Sequence, residues 1–207
     1  MHTPMTVTRW ARHPDPKAAM IEAATALFRQ RGYAGVGVAE LLAVSGAPRG
    51  SLYFHFPGGK AQIAVEAVQR ASLAVLAGIR RRAQMTASIE DYIDTACHGW
   101  AKNLDASDFA NGCLIAFVGL EAASASPALK EAAAQAFADW EDALTEMAAD
   151  KGLAAPQARR FAAAFIGAVE GAIVLARTRR RSRAMRDAAD AMKAYARSLR
   201  EETQSQR

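Results

Sequence analysis

Apolar side chains recur along this chain every three or four positions and almost nowhere every second position, the period of helices rather than strands. Met20, Ala24, Leu27 and Phe28 form the first stripe and predict a helix over 17–31, with Gly32 just past its last turn. Ile63, Ala67, Ala71, Val75 and Ile79 stand four apart and predict a long helix over 60–85. Four more helices are predicted over 88–103, 112–123, 127–151 and 156–178. Breaks at Asn111-Gly112, Ser124 to Pro127 and Lys151-Gly152 separate them. A last helix over 183–202 aligns Met185, Ala188, Met192, Tyr195 and Leu199 on one face.

Between the first stripe and the long helix the pattern tightens. Val38, Leu41 and Leu42 mark a short helix, and Ser45-Gly46-Ala47-Pro48 reads as a turn. Gly46 can take φ > 0 there, and Pro48 suits the first position of a following helix. That second helix, over 48–54, completes a helix-turn-helix pattern and brings the chain to about nine helices, an all-α fold. It would present Arg49, Gly50, Ser51 and Tyr53 to a major groove: a cation, a close backbone approach, a hydroxyl and a phenol. Arg49 can fork onto guanine O6 and N7, worth about 1–3 kcal/mol of discrimination, or neutralise a phosphate. The sequence leaves both open. Lys60 and the free N–H groups opening the long helix follow the reading helix closely and can hold a DNA phosphate.

Charge sharpens this picture. The formal net charge of +5 is modest, but residues 1–60 hold seven Lys/Arg against three Asp/Glu, whereas residues 121–150 hold one Lys against seven acids. The basic end coincides with the helix-turn-helix pattern, as a nucleic-acid surface requires. Residues 1–16, with Pro4, Pro14 and Pro16, read as an arm whose Arg9, Arg12 and His13 can touch DNA or remain a disordered tail. The division expected is an arm at 1–16, a DNA-binding domain at 17–60, a ligand-binding and dimerisation domain at 61–202, and a polar tail at 203–207.

Composition excludes other classes. Two cysteines are too few for a disulfide framework, and no N-terminal apolar run of signal-peptide length precedes the first helix, so the chain reads as cytoplasmic. No uninterrupted apolar stretch of about 20 residues is seen, and the run from Phe161 to Ala176 is broken by Glu170, so no membrane partner is expected. No metal or cofactor is expected either. Cys97, His98 and Cys113 do not supply a four-ligand zinc spacing, and no Gly-rich phosphate loop or nucleophile elbow is present.

The run G-Y-x-x-V-x-V-x-E-L-L-x-x-S-G-x-x-R-G-S-L-Y-x-H-F from Gly32 to Phe56, followed by Lys60, resembles the DNA-binding domain of TetR-type bacterial transcription regulators. Gly112-Cys113-Leu114, Leu120 to Ser124 and Ser126 to Leu129 are similar to the subgroup containing lincomycin-resistance and flavonoid-responsive repressors. The resemblance implies that Tyr53 and His55 touch DNA backbone or a thymine methyl, while Leu52 and Phe56 pack into the small core. The chain departs from that pattern at Gly37, where a Ser or Thr usually caps the second helix, and at Pro48, where one often opens the reading helix. Any phosphate contact at Gly37 would come from the main chain alone.

The resemblance also implies a small-molecule pocket in the larger domain and a homodimer. Cys97, Trp100, Cys113, Phe117, Phe137, Trp140 and Phe165 have the mostly apolar character of a pocket lining, although the same residues describe any helical core. Glu121 and Glu170 interrupt apolar segments. A buried acid there would need an Arg or a ligand amine, and exposure at a helix edge is the simpler account. Ala163, Gly167 and Gly171 permit close helix approach and, with Met192, Tyr195 and Leu199 of the last helix, are expected to form the dimer interface. The six arginines between Arg177 and Arg186 are expected to form a solvated connection. The expected function is a repressor released from a pseudo-palindromic operator by a small apolar or aromatic effector. The rivals are a constitutive DNA-binding dimer and an enzyme acting in the C-terminal pocket.

Overall fold

The computed structural model describes residues 15–205, and every regular element among them is an α-helix. They are α1 (Pro16–Arg31), α2 (Val38–Ser45), α3 (Arg49–His55), α4 (Gly59–Met85), α5 (Ile89–Ala106), α6 (Leu114–Ala125), α7 (Pro127–Asp150), α8 (Ala155–Arg179) and α9 (Arg183–Ser205). The expected arm, with Arg9, Arg12 and His13, lies outside the described residues apart from its last two positions. Asp15 caps α1 by accepting the Lys17 N–H at 2.9 Å, and Pro16 opens the helix, so α1 begins one residue before the predicted start.

Local chemistry sets the turns that aim α3. Gly32 ends α1 at φ 74, donating its N–H to Phe28 O. Gly46 ends α2 in the left-handed region at φ 67, a conformation that a side chain would oppose. Pro48 is the cap of α3 and not its first residue, because its ψ of 139 is extended. The carbonyl of Pro48 then accepts the N–H of Ser51 at 3.0 Å. Gly37 caps α2 without any side-chain hydrogen bond.

Phe28, Leu41, Leu52, Phe56 and Ile63 are fully buried and form the core of the small N-terminal bundle. α4 packs on α1 at one end and on α7 further along, so a single rod serves both bundles. Beyond it, α5 and α8 lie against α9, and α7 lies between α6 and α8. By length and mean hydropathy α4 and α8 are long and apolar enough to cross a bilayer, contrary to expectation. Both are core helices here, burying Ile63, Val68 and Ile79 on α4 and Phe161, Phe165 and Ile173 on α8.

α9 departs from expectation in what its stripe faces. Met185 and Leu199 are fully buried, Met192 is buried and Tyr195 half-buried, all within one protomer. The stripe is used up against α5 and α8, and Met192 and Leu199 have no surface left for a partner. Ala163, Gly167 and Gly171 on α8 do face outward, beside the exposed Val174.

Candidate nucleic-acid interface and internal cavities

α3 stands on the surface of the small bundle, held by Leu52, which is fully buried. The helical period then turns Arg49, Gly50, Tyr53 and Phe54 outward. Tyr53 is 67% and Phe54 81% exposed, a pair of bare aromatic rings that a seven-residue helix would not leave in water for stability's sake. Phe54 was not among the expected contacts. Its signal was the i, i+4 spacing of Leu52 and Phe56, which buries those two and leaves position 54 outside. Its ring meets His55 edge-on at 5.0 Å, while His55 is half-buried. The Ser51 hydroxyl donates to Pro48 O at 2.7 Å and keeps its lone pairs for an incoming donor.

Lys60 sits in the first turn of α4, half-buried, with its ammonium 4.1 Å from the centre of the Tyr33 ring. Burial lowers its pKa, and the nearby Glu121 carboxylate partly offsets that. Glu121, expected among the ligand-binding residues, stands instead at the seam between the bundles. Its carboxylate accepts the Ala34 N–H at 2.6 Å.

The same seam has two further ties. Gly112 N–H donates to Arg29 O at 2.9 Å. Arg177, expected in a solvated connection, instead reaches back from α8. Its guanidinium donates to Gln30 O at 3.0 Å, Ala110 O at 3.1 Å and Phe109 O at 3.2 Å, and lies 4.6 Å from the centre of the Phe117 ring. The reason is helical phase: Arg177 follows the buried Ile173 by four residues and shares its inward side.

Three cavities adjoin one another in the large bundle. A cleft of about 690 Å³ opens between α1, α4, α5 and α6 and is lined by Arg82, Trp100, Cys113 and Trp140 among others. A chamber of about 60 Å³ lies behind it, walled by Tyr92, Trp100, Trp140, Phe165 and Glu170. An apolar groove of about 500 Å³ runs along α6, α7 and α8 past Cys113, Phe117, Phe137 and Glu170. Trp140 is fixed by donating its indole N–H to Ser72 O at 3.2 Å and by an edge contact with Phe137 at 5.4 Å. Phe165 stacks on Phe161 at 5.6 Å and meets Tyr92 edge-on at 5.9 Å.

Cys97 is not part of this group. It faces α9 in a separate depression with Asp94, His98 and Lys193. Burial pushes its thiol up to about 11, and burial raises Cys113 further, so neither is poised as a thiolate nucleophile. Glu170 is half-buried, with its carboxylate turned inward against Cys113. Burial raises its pKa, and the Cys113 thiol donates to it. Arg82 and Tyr92 line the cavities without having been expected to, since nothing in the local pattern distinguishes an inward arginine from a surface one. No group of three or more His, Cys, Asp or Glu suited to a metal ion occurs among the described residues.

Comparison with known proteins gives this geometry a context. Residues 20–67 match the family described as bacterial regulatory proteins, tetR family, and residues 90–191 match the LmrA/YxaF-like transcriptional regulator C-terminal domain. An HTH-type transcriptional regulator of Mycobacterium tuberculosis is 34% identical over 171 residues, covering 80% of this chain and 86% of that protein. The HTH-type transcriptional regulator LmrA of Bacillus subtilis is 29% identical over 168 residues, covering 81% and 89%. A TetR transcriptional regulator from Legionella pneumophila has the same fold, with a TM-score of 0.79 over 89% of this chain and 98% of that one at 17% identity.

Proposed function

This chain belongs to the TetR family of DNA-binding transcription regulators, and from that premise we propose that it is a homodimeric repressor released from its operator by a small effector. Its relatives are regulators and not enzymes. The observation that carries the proposal is the seam. α6 and α8 line the cavities, and the same two helices hold the turn after α1 through Glu121 and the end of α1 through Arg177. An occupant that shifts α6 or α8 therefore shifts the bundle that carries α3.

In this reading Arg49, Gly50, Ser51, Tyr53 and Phe54 meet the major groove, and Gly37, Pro48, His55 and Lys60 flank it at the backbone. Two copies paired through the outward side of α8 would set two reading helices one turn of DNA apart, about 34–36 Å. The effector is small and largely apolar or aromatic, matching Trp100, Trp140 and Phe165. It releases DNA only by favouring a conformation in which the two α3 helices lose that spacing.

The test is operator binding by Arg49→Ala and Tyr53→Ala with the dimer checked by sedimentation. Both variants should lose operator binding as intact dimers. Unchanged affinity in both would remove α3 from the role of reading helix.

A further inference from the structure

We infer that the cleft between α1, α4, α5 and α6 is an anion-binding site for an aromatic acid, with the Arg82 guanidinium recognising its carboxylate or phosphate. This rests on the effector reading above and narrows the chemistry of the effector.

Arg82 is half-buried, yet it makes no hydrogen bond or ion pair through its guanidinium among the described residues. A guanidinium carries five N–H donors, so Arg82 keeps its whole fork for a ligand. Three other arginines of the region are engaged, Arg70 with Glu22, Arg177 with three carbonyls and Arg29 with Gly112 O, while Arg81 is exposed. Arg82 is also given room. A Cβ at Gly78 would lie 3.0 Å from one of its terminal nitrogens, and a Cβ at Gly99 would lie 3.2 Å from the other. Two glycines on facing helices thus hold the planar fork between α4 and α5, where alanine in either place would crowd it.

The surroundings specify the ligand. Arg29, Arg70, Arg81 and Arg82 line the cleft against one carboxylate, Glu22, and that carboxylate is already paired with Arg70 at 2.9 Å. The excess is positive and the natural partner is an oxyanion held in two parallel hydrogen bonds. Trp100 and Trp140 line the cleft and the chamber behind it, so an aromatic body attached to the acid would rest on indole. The volume of about 690 Å³ suits a small molecule of that kind. Thr25 and Ala26 of α1 form part of the same wall, so the occupant would touch the DNA-binding bundle as well as α4 and α5.

The experiment compares two probes of one shape, 2-naphthoate and the neutral 2-naphthamide, titrated calorimetrically into the full chain. Naphthoate should bind about tenfold or more tightly than naphthamide, the gain expected when a hydrogen bond acquires a charged partner. Arg82→Met should erase that preference while leaving naphthamide affinity unchanged. Equal binding of the two probes, binding of neither at millimolar concentration, or a preference that survives Arg82→Met would each overturn the site. The wild-type comparison stands even if the variant fails to fold. Operator affinity is measured in parallel. Naphthoate that binds as described but leaves operator affinity unchanged supports the anion site and counts against its occupant as the effector.

Discussion

The carboxylate of Glu121 on α6 accepts the backbone N–H of Ala34, 2.6 Å away and 87 positions earlier in the chain. The contact is possible because Gly32 has no side chain: a Cβ there would fall 2.1 Å from Glu121 Oε1, and the φ of +74 already disfavours one. One acid and one glycine thus join the larger bundle to the bundle that carries α3.

Glu121→Ala should cost about 1 kcal/mol, since the hydrogen bond is charge-assisted but reaches solvent. Amide exchange at Ala34 should then accelerate about fivefold. Gly32→Ala should destabilise more than Glu121→Ala. Part of that loss should disappear in the double variant, where the clash with the carboxylate is gone. Strict additivity in denaturant melts would show that the two residues are not coupled.

Glu170 gives a pH signature. Burial holds its proton to higher pH in the folded chain than in the unfolded one. The folded state is therefore relatively favoured at low pH and loses that advantage as pH rises through the folded pKa. Glu170→Gln should match wild type near pH 4, roughly the value of a free glutamate, and exceed it at pH 8. The expected gain in Tm is about 2–4 °C, corresponding to roughly 1 kcal/mol in a chain of this size. A difference in Tm that does not change with pH would contradict burial of the carboxylate.

The outward side of α8 is the proposed pairing face. Val174 is 54% exposed there, beside Gly167 and Gly171. Gly167→Arg should block close approach of two α8 helices and yield monomers in sedimentation, with helicity retained. Lys193→Ala on α9, away from that side, should remain dimeric. A dimeric Gly167→Arg would move the interface elsewhere.

Lys60 should act as a phosphate contact. Lys60→Ala should weaken operator binding across sequences alike and lower the slope of log K against log salt by about one. An unchanged slope would leave Lys60 a partner of Tyr33 and Glu121 alone.

Much of this organisation was legible in sequence because helices declare themselves by period. Met20, Leu27, Phe28, Leu41, Leu52 and Ile63 all repeat at helical spacing, and all are buried. The same period says that a face is covered without saying by what. The α9 stripe of Met192 and Leu199 therefore reads as a face for a partner, although α5 and α8 cover it. Aromatic residues mislead in the other direction. Phe54 resembles core by type, and only the placement of Leu52 and Phe56 sends it outward. The contacts of Glu121 with Ala34 and of Arg82 between Gly78 and Gly99 join residues far apart in the chain or on different helices. No local pattern encodes them.

The most direct test is selection of bound sequences from random duplex DNA at fixed salt, performed with wild type, Arg49→Ala and Tyr53→Ala. Wild type should enrich a pseudo-palindrome with half-sites about one helical turn apart, and the two variants should lose that enrichment. Binding by wild type that enriches no sequence and merely fades as salt rises would contradict the account of α3 as a sequence-reading element of a dimeric regulator.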